Sequence, residues 1–117
     1  MAGGDVATGT DPGRALVVGL GVTGRAVARA LRARGWQVVV VEDHPTPGSD
    51  VAARSLAVDL LASPGTEELE RAVAGADVVL PSPGIPDVHP VFAMARRHDV
   101  PVRSEFDLAR AWDDRPV

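Results

Sequence analysis

Two short glycine-bearing segments hold the residue types that could bind a ligand. The first, Gly19-Leu20-Gly21-Val22-Thr23-Gly24, has the spacing G-x-G-x-x-G between an apolar run and a segment of helical period. Glycine there permits a tight turn, close approach of backbone to a phosphate, and close packing of helix on strand. A helix that starts at such a loop offers unpaired N–H groups and the positive end of its dipole to an anion. Glu42 closes the next apolar run, 18 residues after Gly24, where an acidic residue commonly accepts hydrogen bonds from a ribose. On these residues alone two readings stand. One is the NAD(H)-binding fingerprint of a dehydrogenase or regulatory module; the other is a set of glycines that only let helix and strand pack. No second domain or hydride-transfer group is recognisable to complete the first.

The second segment is Ser82-Pro83-Gly84-Ile85-Pro86, followed by His89-Pro90. In an open α/β sheet, ligands bind beyond the strand C-termini at the topological switch point, where the two loops are expected to face each other. Gly84 lets backbone approach a ligand and Ser82 offers a hydroxyl, although a rigid turn needs the same residue types for its own geometry. The histidines at 44, 89 and 98 are too widely spaced for a metal-ligand pattern, so neither a metal nor a catalytic residue is expected. Cysteine is absent, which excludes disulfides and thiol catalysis. All twelve basic residues are arginine, so no lysine can serve a phosphate loop. A net charge of −4 argues against general nucleic-acid binding. No apolar run reaches the roughly 20 residues of a membrane span, and the start lacks a signal-peptide pattern. Cytoplasm is the expected compartment.

The elements that must position these loops follow from hydrophobic period. With aromatics at 3%, the core must be Val, Leu and Ala, which suits strands buried on both faces. Residues 1–13 are small and polar and are expected to be a disordered leader, with one domain over 14–117. Ala15–Val18 and Val38–Val41 are expected strands. A helix from Thr23 is expected to bury Ala26, Val27, Ala30 and Leu31 and to stop before Gly35. Pro45–Gly48 is expected to be a loop, and 51–61 fits helix or strand, with a short strand expected near Ala57–Leu61. Thr66 is expected to cap a helix ending near Gly75. After Val78–Leu80, a helix should begin at Pro90 and run to His98. Val100–Val102 is expected as an edge strand, and Ser104 as the cap of a last helix through Trp112. Strands and helices alternate, which gives a Rossmann-like, doubly wound α/β fold with a mainly parallel, five-stranded sheet and flanking helices.

Taken together, several segments resemble the N-terminal domain of the Mur ligases, most of all the D-glutamate-adding branch. They are Val17-Val18-Gly19-Leu20-Gly21-Val22-Thr23-Gly24, Gly35, Pro45-Thr46-Pro47, Ser82-Pro83-Gly84-Ile85 with His89-Pro90, and Ser104-Glu105-Phe106-Asp107-Leu108. The likeness runs from about Arg14 to the C-terminus. It implies that the ligand is the UDP end of UDP-N-acetylmuramoyl-L-alanine and not NAD. Gly21, Val22, Thr23 and Gly24 would then lie beside the nucleotide, with the helix N-terminus near its diphosphate. Glu42, Asp43 and His44 would lie at the uracil and ribose end, and Ser82 and Gly84 along the substrate. Asp43-His44 departs from the family pattern, in which a hydroxyl residue and an arginine are common. The resemblance also implies a parent ligase of peptidoglycan synthesis that uses ATP and Mg2+. Its central and C-terminal domains are expected beyond Val117, so this segment is expected to bind without catalysing.

Overall fold

A computed structural model of the chain describes residues 12–112. Of the expected leader over 1–13, residues 1–11 lie outside the described residues, as does the end beyond Trp112. Gly13 is placed, and its carbonyl accepts a hydrogen bond from the Gln37 N–H at 2.9 Å.

Four strands, β1 (Arg14–Val18), β2 (Gln37–Glu42), β3 (Asp59–Ala62) and β4 (Val78–Pro81), form one parallel sheet in the order β3-β2-β1-β4. Five helices connect or follow them: α1 (Val22–Ala33), α2 (Pro47–Leu56), α3 (Thr66–Ala74), α4 (Pro90–Arg97) and α5 (Glu105–Trp112). The near-continuous apolar runs of β1 and β4 arise because both faces are covered. Ala15, Val17, Val78 and Leu80 pack with Ala28 and Leu31 of α1 and Leu108 of α5, with Ala52 and Leu56 of α2 alongside. On the other face, Leu16, Val18 and Val79 pack with Leu69 and Val73 of α3 and Val91, Met94 and Ala95 of α4. The core is built almost wholly of Val, Leu and Ala, with Trp36 buried in the first cluster and Phe92 packed against the second.

The expected fifth strand is reduced to a single parallel bridge, Val79 to Val102. The Val79 N–H donates to the Pro101 carbonyl at 2.9 Å, and the Arg103 N–H to the Val79 carbonyl at 3.0 Å. A parallel ladder would grow from there by an N–H of residue 101 below and of residue 81 above. Both are prolines, which carry no N–H. The pairing stops after one residue.

Four local expectations also change. Pro47 and Gly48 are not loop but the first turn of α2. Thr46 is its N-cap, and its N–H donates to Ser49 Oγ at 3.0 Å. Proline is well tolerated at that first position, so Pro-Thr-Pro-Gly is a helix start as readily as a turn. The helix ends on Ala57 in the left-handed region (φ 58°), and β3 begins only at Asp59. The cap of α3 is Gly65, with Thr66 its first helical residue. Finally, α1 buries Gly24, Ala28 and Leu31 and leaves Ala26 exposed. Its inward stripe follows the i, i+4, i+7 spacing that begins at a glycine.

Candidate functional site

The order β3-β2-β1-β4 reverses direction between β2 and β4 at β1, so the switch point lies at the C-terminal ends of β1 and β4. The Gly19–Gly24 turn leaves β1 there, and the 82–89 loop leaves β4 beside it. Within the first loop the glycines divide by role. Gly19 has φ +95°, and a Cβ on it would meet Ser82 Oγ at 3.0 Å. On Gly24 a Cβ would sit 2.1 Å from the Gly19 carbonyl oxygen. These two are glycine because the protein's own packing requires it. Gly21 and, in the second loop, Gly84 differ: a Cβ there meets nothing within 4 Å. Their open faces are where a ligand's atoms can come close to backbone.

Helix charge singles out the same two loops. The first turns of α2, α3 and α5 carry acidic residues (Asp50; Glu67 and Glu68; Glu105 and Asp107), which complement their dipoles. The first turns of α1 and α4 carry none. In α1 the first helical bond is Arg25 N–H to the Gly21 carbonyl, 2.9 Å, so the amides of Val22, Thr23 and Gly24 precede the ladder. An anion would be well placed at them. Val22 itself is 89% exposed.

The loops are tied to one another. Glu42 Oε2 accepts from the Leu20 N–H (2.9 Å) and Oε1 from the His44 N–H (3.3 Å), so the expected ribose acceptor also braces the glycine loop. Each oxygen keeps a second lone-pair direction for a ligand. Ser82 Oγ donates to the Gly19 carbonyl at 3.1 Å, joining the β4 loop to the β1 loop. Its hydroxyl proton is therefore used within the protein. Ser63, just after β3, donates from its N–H to the Glu42 carbonyl (2.8 Å) and from Oγ to the Asp43 carbonyl (3.1 Å). Asp43 Oδ2 lies 2.8 Å from Nε2 of His89, the N-cap of α4.

Two clefts open at this end. One, of about 210 Å3, is lined by Thr23, Gly24, Val27, Ser82, Pro83 and Glu105 among others. The second, of about 360 Å3, lies between the β2 turn and the starts of α3 and α4, with Asp43, His44, Pro64, Thr66, His89 and Pro90 on its walls. His44 is exposed on that wall. Among the described residues, no three of His, Asp or Glu gather as a metal site would require.

The residues expected from sequence thus assemble at one end of the sheet, on three loops. Reasoning from sequence missed Ser63 and the side-chain role of His89. The signal for His89 was available: a residue directly before a first-turn proline occupies an N-cap.

Comparison with known proteins agrees with this geometry. Residues 13–104 match the family described as Mur ligase MurD-like, N-terminal domain. The UDP-N-acetylmuramoylalanine--D-glutamate ligase of Syntrophus aciditrophicus is 36% identical over 113 residues, covering 89% of this chain and 23% of its own length. The enzyme of the same name from Frankia casuarinae is 39% identical over 97 residues, covering 83% and 20%. The chain therefore spans about a fifth of the curated relatives it matches. Among solved structures, shikimate dehydrogenase of Mycobacterium tuberculosis superposes with TM-score 0.59 at 22% identity, over 94% of this chain and 55% of that one. A nucleoside-diphosphate-sugar epimerase of Pseudomonas aeruginosa superposes with TM-score 0.61 at 26% identity, over 78% and 32%. The dehydrogenase likeness establishes the Rossmann-like fold, and the sequence match over 13–104 establishes descent: the chain belongs to the MurD-like N-terminal domain family of the Mur ligases.

Proposed function

We propose that the chain binds the uridine diphosphate end of UDP-N-acetylmuramoyl-L-alanine, as the N-terminal substrate domain of a D-glutamate-adding ligase of peptidoglycan synthesis. The observation that carries this reading is the pair of open glycines, Gly21 and Gly84, on facing loops whose other glycines are fixed by packing. The diphosphate rests against the amides of Val22, Thr23 and Gly24, where α1 has no acid of its own. Uracil and ribose occupy the cleft walled by Asp43 and His44, with Glu42 on the same turn, and the substrate continues past Ser82 and Gly84. The names of the sequence relatives support the same substrate.

The parent reaction would consume ATP with Mg2+ and form ADP. The residues present do not fit that part of the chemistry. A phosphate loop needs Gly-Lys-Ser/Thr, and the chain has no lysine. ATP and Mg2+ would be held by other domains of the parent, and this segment alone binds without catalysing. Such a ligase acts in the cytoplasm, and no helix among the described residues is long and apolar enough to cross a membrane.

The test is a titration of isotope-labelled chain with UDP-N-acetylmuramoyl-L-alanine, UDP and NADH in turn. Amide shifts at Gly21–Gly24 and Gly84 are expected with the first two, at micromolar or weaker affinity because contacts from the rest of the ligase are missing. Shifts with NADH alone would sink the reading. Thr23→Val should weaken UDP binding at an unchanged melting temperature; unchanged binding would leave Thr23 as a helix-start residue only.

A further inference from the structure

Asp43 and His89 stand 46 residues apart in sequence and come from loops after β2 and β4, strands that β1 separates in the sheet. His89 Nε2 and Asp43 Oδ2 are 2.8 Å apart. On the other side of the ring, Nδ1 accepts from the Val91 N–H at 3.1 Å. A backbone N–H can only donate, so Nδ1 presents its lone pair there. Nε2 then carries the proton and donates to Asp43, which fixes both the tautomer and the ring plane. The imidazole is 10% exposed and the carboxylate 38%, so the bond is sheltered while Asp43 still faces the cleft.

The turn bearing Asp43 is anchored on its other flanks as well. Ser63 holds the carbonyls of Glu42 and Asp43, and Glu42 holds the Leu20 amide of the glycine loop. What ties this turn to the start of α4, across the end of β1, is His89. Asp43 and His44 form one wall of the 360 Å3 cleft and His89 and Pro90 another, with Pro64, Thr66 and Leu69 at the start of α3 closing the third side.

We infer that Asp43 and His89 are a positioning pair that sets the width of the nucleotide cleft before any ligand arrives. Asp43 holds the cleft's shape through His89, while its carboxylate, 38% exposed, still lines the cleft. This role rests on the uridine nucleotide reading above. It also gives a physical sense to an acid at position 43: a carboxylate reaches the imidazole N–H and strengthens the bond by its charge.

The experiment uses the full chain with 15N-labelled histidine, and UDP as the probe. His89 is expected to show the Nε2–H tautomer with an unprotonated, hydrogen-bonded Nδ1. Asp43→Ala should erase that signature, speed amide exchange at His44 and weaken UDP binding about tenfold, the scale of one lost hydrogen bond. Asp43→Asn keeps an acceptor and should recover binding to within about threefold. His89→Asn separates the tie from the helix cap. It still accepts from Val91 as a good N-cap but is too short to reach Asp43. It should weaken UDP as Asp43→Ala does, with the melting temperature lowered by only a few degrees, and it serves alone if Asp43→Ala does not fold. An Nδ1–H tautomer in the unaltered chain, or full UDP affinity in His89→Asn, refutes the positioning role and leaves the UDP reading standing. If the unaltered chain ignores UDP, the functional reading fails and the positioning role with it, while the His89 signature still decides whether the tie exists.

Discussion

At the scale of single residues, two glycines of one motif answer different demands, and substitution separates them. Gly24→Ala would press a Cβ to within 2.1 Å of the Gly19 carbonyl, which only a backbone shift between α1 and β1 can relieve. Overpacking of this kind costs about 1–3 kcal/mol. A chemical-denaturation midpoint should fall accordingly, whether or not ligand is present. Gly21→Ala meets nothing within 4 Å and lies at φ −84°, a conformation any residue adopts. Its stability cost should stay below roughly 1 kcal/mol, the difference between a glycine and an alanine cap. UDP affinity should nevertheless drop, because the methyl enters the space left for the diphosphate. If both variants lose only stability, the loop is a packing device. The sequence motif could not divide these roles, because G-x-G-x-x-G records where side chains are missing and not what occupies the space.

At the scale of elements, helix ends carry most of what was hard to foresee. The α2 helix stops on Ala57 at φ 58°, a left-handed conformation that costs an L-residue about 1–2 kcal/mol and that glycine adopts freely. Ala57→Gly should therefore raise stability by up to about 1 kcal/mol despite glycine's greater freedom when unfolded. A thermal melt with an unchanged or lower midpoint would show that the strain is not there. The residues around it were misread for a related reason. Pro45-Thr46-Pro47-Gly48 is built from turn formers, and only the Thr46–Ser49 bond across the first turn selects the helix. By contrast, β1, β2 and β4 and the starts of α4 and α5 were legible, because both-face burial and a first-turn proline or Ser104 cap leave local marks. The Ser104–Asp107 cap is reciprocal, with Asp107 Oδ2 accepting at 2.8 Å and Ser104 Oγ at 3.1 Å. The pairing of Asp43 with His89 left no local mark at all. It depends on two loops meeting over a third strand.

At the scale of the whole molecule, acid should loosen the fold through two carboxylates. Glu70 is held below its ordinary value of 4.5 by a hydrogen bond from His98 and then by Arg97, which joins α3 to the end of α4. Asp107 is held below its ordinary 3.8 by the Ser104 N–H and hydroxyl. A lowered folded-state pKa means that the contribution is complete above the unfolded value and is lost as pH falls through the folded one. Glu70→Gln should melt earlier than the unaltered chain at pH 7. The two melting curves should converge as pH drops below 4.5; a constant gap would place the effect in packing instead. Both carboxylates are solvent-accessible, so the gap should be small and should shrink in salt.

The two prolines that end the pairing of β4 reach beyond topology. An unpaired strand edge is a template on which a second copy of a chain can add its own strand, and repeated addition leads to aggregates. Along this edge the segment around Val102 already takes both backbone groups of Val79, and the prolines at 101 and 81 withhold the next donor in either direction. A stray strand that displaced Val102 would pair with Val79 but would find no N–H at Pro81 to carry the pairing past it. The same residues that truncate the sheet make this side a poor seed for self-association, which leaves the β3 side as the edge where a second molecule could start.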